Sequence, residues 1–369
     1  MVGWDSGATL AERFRAHAGG ARHLYGCAMR GMAEDWEAGG PVREVCAGYE
    51  DAPSGAALQL RLLAGVFRLV LAGEAPELVP YYPCLGGDRP PAEAWPVLQR
   101  VVGAHVAELR EALSITPQTN EVGRSAALLV GLFDLVAATG VQHVRLLELG
   151  ASAGLNLLLD RFGFAGEGWR WGSPASPLQL PGAVEGRLQT EELLVVDRAG
   201  CDLSPVDPTS EEGRRLLTSF VWPFDLHRHA RLAAALEVAA AGPARVDRAG
   251  AAAWLPGQLA DAPTGPAGSE VLTVVWHSVT RLYWPPEEVA AVEATLAEAG
   301  GRGLLGRVSM EYDPDGAEDD GSADGTAGTP APARPGRPVV RTELWRRGAP
   351  TRRRRLGTAH DHGVPVRLG

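Results

Sequence analysis

The densest set of chemistry-bearing residues is one stretch, Glu148-Leu-Gly150-Ala-Ser152-Ala-Gly154-Leu-Asn156, directly after the apolar run Val144–Leu147. Small residues at a strand-to-helix junction let the backbone approach a ligand, and a helix start offers unpaired amides to a polar or anionic group. Two chemistries use such a turn. One cradles a nucleotide cofactor, with Glu148, Gly150, Ser152 and Gly154 as its contacts. The other is nucleophilic, because Gly150-Ala-Ser152-Ala-Gly154 satisfies the G-x-S-x-G string of a nucleophile elbow, with a terminal histidine, His360 or His362, as base. A glycine turn that only packs a helix on a strand is the plain alternative. Element order favours the cofactor: an elbow usually follows several strands of its sheet, and the residues before 140 read as helices.

Further polar groups stand at the ends of other apolar runs. Asp202, in Gly200-Cys-Asp202-Leu-Ser-Pro205, offers two oxygens, enough to accept both hydroxyls of a ribose; a turn residue before Ser-Pro is the alternative. It lies much further from Gly150 than the roughly 20 residues usual in such units, so the Trp-, Pro- and Gly-rich stretch Trp169–Pro177 reads as an insertion. His277, in Trp276-His-Ser-Val-Thr280, has the side chain of a general base near neutral pH, or simply caps a strand. Asn120, Glu121 and Arg124 lie within about one turn, so their side chains could close over a cofactor, while Thr119 or Asn120 also suits a helix cap. The polar-aromatic loop Tyr81–Asp88 reads as acceptor-pocket lining or as an interhelical turn.

These residues need elements to hold them. Up to about residue 140 the chain reads as helices. Thr9-Leu-Ala-Glu12 forms a capping box, Leu58, Leu62, Val66, Leu69 and Val70 share one face, and Trp95, Leu98, Val102, Val106, Leu109 and Leu113 make a second stripe. A further helix runs from Thr119 to Thr139 and stops at Gly140. Beyond it, strands are expected at Val144–Leu149, Val195–Leu203, Ala244–Asp247, Val271–Trp276 and Leu304–Tyr312, with helices at Leu155–Phe162 and from Pro285 to Gly301. This alternation predicts an α/β fold with an open, doubly wound sheet. Residues 314–338, rich in Asp, Gly, Ala and Pro, are expected to form a disordered loop, followed by two antiparallel terminal strands, Val339–Trp345 and Leu356–Val366. The expected division is a helical cap over 1–140 and a sheet domain over 141–369.

Two resemblances rest on these motifs. Leu146-Leu-Glu148-Leu-Gly150-Ala-Ser152-Ala-Gly154 resembles the first motif of class I S-adenosylmethionine-dependent methyltransferases, with Ser152 where the middle glycine stands. Thr119–Arg124, Glu148–Asn156, Gly172–Pro177, Val221-Trp-Pro223, Trp276-His-Ser278 and Thr358–Gly363 resemble, over most of the chain, the largely actinobacterial family called domain of unknown function 2332, itself methyltransferase-like in fold. The resemblance implies a Rossmann-like methyltransferase sheet under an all-helical N-terminal cap. It also implies bound S-adenosylmethionine, held by Glu148, Gly150, Ser152, Gly154, Asp202, Asn120 and Arg124. His277 and Glu121 would be the catalytic residues, serving an O- or N-nucleophile on a small-molecule acceptor. The alternatives are a serine hydrolase using Ser152 and a non-catalytic binding scaffold, the latter motivated by Ser152 and Gly250 at motif positions.

Composition bounds these readings. Of 369 residues, 45% are hydrophobic and 22% charged, which excludes collagen-like and wholly disordered chains. A net charge of −10 opposes nonspecific binding to nucleic acid or anionic lipid. Every basic residue is arginine, so Arg346-Arg347 and Arg352–Arg355 read as a solvated hairpin rather than a phosphate site. Cys27, Cys46, Cys84 and Cys201 lack C-x-x-C spacing, and His227-Arg-His229 and His360-Asp-His362 lack further ligands at diagnostic spacing, so no disulfide framework and no metal is expected. The most apolar helix candidate, Leu58–Gly73, is interrupted by Arg61 and Arg68, and the amino end does not read as a secretory signal, so no membrane span and a cytoplasmic location are expected.

Overall fold

The computed structural model describes residues 8–53, 56–261, 263–313, 336–348 and 350–369. The expected disordered loop lies outside the described residues up to position 335. Helices α1 (Leu10–Ala18), α2 (Leu24–Ala38), α3 (Pro41–Val45), α4 (Leu58–Ala72), α5 (Trp95–Ala104) and α6 (Val106–Leu113) come first, and α7 (Ser125–Thr139) leads into β1 (His143–Leu149). Four short strands follow, β2 (Gly163–Gly166), β3 (Trp169–Gly172), β4 (Gln179–Pro181) and β5 (Val184–Glu185). The chain continues through β6 (Leu194–Asp202), α8 (Glu211–Ser219), α9 (Leu226–Ala240), β7 (Arg245–Arg248), α10 (Ala251–Gln258) and β8 (Leu272–Ser278). It ends with α11 (Pro286–Arg302), β9 (Leu304–Glu311), β10 (Val339–Arg346), β11 (Pro350–Ala359) and β12 (Val366–Leu368).

The chain forms two compact units. A helical one gathers Gly3–Thr119 and Ser210–Leu232, and an α/β one gathers Asn120–Thr209 and Ala233–Gly369. The break thus differs from the one expected at residue 140. Helix α7 is buried nearly all round and lies against β9 and β10, so it belongs to the sheet, while α8 returns to the helices.

In the helical unit the capping box forms as read: Thr9 N–H donates to Glu12 Oε2 at 2.7 Å and Glu12 N–H to Thr9 Oγ1 at 3.2 Å. Phe14, Met29, Leu62, Phe67, Tyr82 and Leu113 anchor the core. The buried Asp35 carboxylate ties α2 to α3 and α5, accepting from Val42 N–H at 2.7 Å and Gln99 Nε2 at 2.6 Å. The stripe from Trp95 to Leu113 is not one helix, because His105, at φ −123° and ψ 35°, separates α5 from α6.

In the α/β unit the large sheet runs β5-β12-β11-β10-β9-β8-β1-β6-β7. Strands β7, β6, β1, β8 and β9 are parallel, and β10, β11 and β12 continue the sheet antiparallel. All seven residues of β8 are buried, as in a strand covered on both faces. Helices α10 and α11 cover Leu147, Leu149, Val275 and Leu305 on one face. On the other, α7 approaches so closely that a Cβ at Gly131 would lie 2.4 Å from Val308 Cγ1. From β1 the chain crosses to β6 and β7 on one side and returns to β8 on the other. Such a reversal leaves a crevice beyond the carboxyl ends of the strands, where open α/β sheets bind ligands.

Four local expectations differ from the structure. The expected helix after Gly154 is a 3-10 stretch, Leu155–Arg161. The helix expected from Thr119 starts at Ser125, after a 3-10 turn at Val122–Arg124. The presumed insertion folds into a small sheet, β3-β2-β4, whose Trp171 meets Phe133 of α7 edge-on at 5.8 Å. The arginine run is not simply solvated: Asp134 of α7 accepts from Thr342 Oγ1 at 2.7 Å and Arg352 Nη2 at 2.9 Å and also pairs with Arg354. The one stretch among the described residues that is apolar and long enough to cross a membrane is Val122–Thr139, not Leu58–Gly73, and it is mostly buried inside the fold.

Candidate functional site

The first loop owes its shape to three left-handed residues, Gly150 (φ 74°), Ser152 (φ 54°) and Gly154 (φ 69°). Packing demands both glycines as well: a Cβ at Gly150 would lie 2.5 Å from Thr280 Oγ1, and one at Gly154 2.8 Å from Val246 Cγ2. Strand β6 holds the loop. Gly150 and Ala151 N–H both donate to the Cys201 carbonyl at 2.9 Å, and Ser152 N–H donates to Asp202 Oδ2 at 2.9 Å. Asp202 Oδ1 accepts from Ser204 N–H at 2.8 Å, and Asn120 Oδ1 accepts from Leu155 N–H at 3.0 Å. Asp202 and Asn120 are therefore braces of the loop. Each carboxylate oxygen of Asp202 has capacity for a second acceptor bond.

Glu148 is 2% exposed. The register sets it opposite Trp276, whose Nε1 donates to Glu148 Oε1 at 3.1 Å. Neither Glu148 Oε2 nor the Oδ1 of neighbouring Asn156 has a hydrogen-bond partner, although both atoms are buried. Burial pushes the Glu148 carboxyl up to about 8, against the pull of the Trp276 indole and the Asn156 amide. Two buried polar oxygens without partners at the end of β1 call for a hydrogen-bonding group.

His277 points to the opposite face of β8 from Trp276, as neighbours in a strand do. It is buried, with Nδ1 2.8 Å from Glu311 Oε1 at the end of β9. The same oxygen accepts from Thr280 and Arg281 N–H at 3.2 and 3.3 Å. A carboxylate partner fixes the proton on Nδ1 and leaves Nε2 as the acceptor nitrogen. The intervening Val279 sits at φ 48°, a strained position for a β-branched side chain, with its N–H bound to the Met310 carbonyl at 2.9 Å.

Three sequence motifs meet above the strand ends. Arg124 donates from Nη1 to the Ser278 carbonyl at 3.3 Å and from Nε to the Asp361 carbonyl at 3.1 Å. Gly123 and Gly363 make this contact possible, since a Cβ on Gly123 would lie 2.4 Å from the His362 carbonyl and one on Gly363 2.2 Å from Arg124 N. Glu121 Oε2 lies 3.9 Å from His362 Nδ1 and its Oε1 accepts from Gly123 N–H at 3.2 Å. Tyr312 Oη donates to Asp361 Oδ1 at 2.9 Å, and burial, with Asp361 beside it, raises the phenol's pKa.

The structure thus gathers Glu148, Asp202, Asn120 and the Gly150–Gly154 loop at the end of β1, and sets Glu121 and Arg124 with the terminal loop. His277 stands across β8 from Glu148. His277 and Glu311 form a histidine–carboxylate pair with hydrogen-bond geometry, and His362 lies beside Glu121. Sequence reasoning passed over Asn156 as a side chain, Glu311 and Tyr312. Glu311 had one signal, an acid closing the apolar run from Leu304 to Met310. Among the described residues no group of three or more His, Cys, Asp or Glu is arranged to hold a metal ion.

Fold and site together define an α/β protein with polar residues gathered at the switch point of a mostly parallel sheet. The chain belongs to the family of uncharacterized proteins conserved in bacteria known as domain of unknown function 2332, whose family model matches residues 8–367. No curated protein and no solved structure matches the chain.

Proposed function

We propose that this protein binds S-adenosylmethionine at the loop after β1 and transfers its methyl group to a small-molecule acceptor. The observation that carries this reading is the pair of buried, unpartnered oxygens Glu148 Oε2 and Asn156 Oδ1, with the half-buried Asp202 carboxylate at the end of the adjacent strand β6. Once Glu148 gives up its proton, acceptors in those two positions suit a ligand with an ammonium group at one end and ribose hydroxyls at the other. Taken as first to fifth along the chain, the parallel strands stand in the order third, second, first, fourth, fifth, which supports a Rossmann-like sheet.

When bound, the cofactor supplies a methyl group on a sulfonium, a leaving group that needs no protein acid. This chain's residues bind and orient. Glu148 and Asn156 would receive the ammonium, and Asp202 the hydroxyls while keeping its hold on Ser152. His277, its Nδ1–H fixed by Glu311, would take the proton from an O- or N-nucleophile at Nε2. Glu121 and Arg124 close the strand ends, so the rate advantage is mostly positioning.

Titration calorimetry with S-adenosylmethionine and S-adenosylhomocysteine tests the reading. Binding of both is expected, weakened about tenfold or more by Glu148→Gln, a loss of about 1.4 kcal/mol. Asp202→Asn should weaken it too and is a better choice than alanine, which would also free Ser152. An ammonium beside Glu148 lowers its carboxyl from about 8, so binding at neutral pH should release a proton, read by repeating the titration in buffers of different ionisation enthalpy. A folded chain that binds neither compound would overturn the proposal.

One observation favours a second reading. Ser152 has the left-handed conformation of an elbow nucleophile at a strand-to-helix turn. Labelling by a serine-directed fluorophosphonate, lost in Ser152→Ala, would support a hydrolase; a folded protein that is not labelled would eliminate it.

A further inference from the structure

The helical unit contains two buried groups that the proposed reaction does not use. Tyr25 on α2 and Tyr82 in the connection after α4 are 2% and 0% exposed, yet neither phenol oxygen has a hydrogen-bond partner. Buried hydroxyls are almost always paired, so two neighbouring unpaired ones need an explanation. Burial raises both phenol pKa values, and Tyr82 and Cys84 add to the effect on Tyr25, so both remain proton donors.

The surroundings are aromatic. Tyr25 meets Trp222 edge-on at 5.8 Å and Phe224 at 6.2 Å, and His23 stacks on Phe224 at 4.2 Å. Cys84 N–H donates to the Pro223 carbonyl at 2.9 Å, which ties the Tyr81–Asp88 loop to the Val221-Trp-Pro223 segment. Trp222, Phe224, His23 and Cys84 are only half-buried, so the hydroxyls stand behind a wall that reaches solvent. Two neutral donors in an aromatic setting are suited to an anionic or strongly polarised oxygen.

We propose that the helical unit holds a second binding site, in which the hydroxyls of Tyr25 and Tyr82 donate to the oxygen of a planar aromatic oxyanion of the phenolate class while Trp222 and Phe224 cover its ring. The site lies wholly within the helical unit and is independent of the function proposed for the sheet.

The test uses the full chain and 4-nitrophenolate, followed by calorimetry and by the visible band of the phenolate. Saturable binding with a band shift is expected, with affinity falling about tenfold in Tyr25→Phe and in Tyr82→Phe. Each variant removes one oxygen and keeps the ring, so its Tm without ligand should be unchanged or higher. No saturation by concentrations on the order of 10 mM, or affinity in both variants equal to that of the unsubstituted chain, would overturn the proposal. A lower Tm in the ligand-free variants would assign the hydroxyls to an ordered water and overturn it as well.

Discussion

Glu148 is uncharged at neutral pH because Trp276 and Asn156 offset only part of the cost of burying its carboxylate. A carboxyl raised from 4.5 to about 8 on folding contributes stability that is complete below about pH 4.5 and is lost as pH rises through about 8. Urea unfolding should therefore show stability declining by a few kcal/mol across that interval, and Glu148→Gln should flatten the decline. An equal decline in the variant would place the titration elsewhere. Gly150 makes a separate demand, since Gly150→Ala combines a left-handed φ with a Cβ driven into Thr280, and should cost about 2 kcal/mol by the same measurement. The placement of Glu148, Gly150 and Asp202 at strand ends was legible in the sequence because each stands where an apolar run meets a turn. Glu311 was not, because its partner His277 is reached only through the pairing of β8 with β9. The bracing role of Asp202 was hidden for the same reason, since the Ser152 amide arrives from another strand.

Helix α7 shows how elements are fixed by a few polar contacts inside an apolar interface. Asp134 is its one acidic residue, and its side chain, 7% exposed, collects Thr342 and two arginines of β11. Asp134→Ala should lower unfolding free energy by about 2 kcal/mol, less than for a fully buried pair because Arg352 and Arg354 are one-third to one-half exposed. Asp134→Asn, which still accepts from Thr342, should cost less; equal losses would contradict this account. The long elements were legible: the five parallel strands fall where short apolar runs predict them, and the capping box marks α1. The small sheet was not, since its strands have three or four residues among glycine, proline and tryptophan, and its ring contacts, Phe164 on Phe162 and on Trp171, follow no alternation. The break at His105 also left no mark, because the apolar stripe keeps its period across it.

At the scale of the molecule, the helical unit draws on two segments separated by much of the sheet. A chain starting at residue 120 would carry Trp222 and Phe224 without Tyr25 and His23, and should bind an apolar dye and melt below the full protein. A fragment with sharp NMR dispersion and no dye binding would refute that. The sequence concealed the boundary because α7 is as apolar as the helices before it, and residues 210–232 have no feature assigning them to an earlier unit. The consequence reaches protein synthesis. Thr119 leaves the ribosome well before Leu232, by about 110 residues, or roughly 5–20 s at ordinary elongation rates. Throughout that interval the first-made helices wait, with the ring faces of His23 and Tyr25 uncovered, for a segment the ribosome has not yet made, and chaperones that bind apolar surface have that long to act.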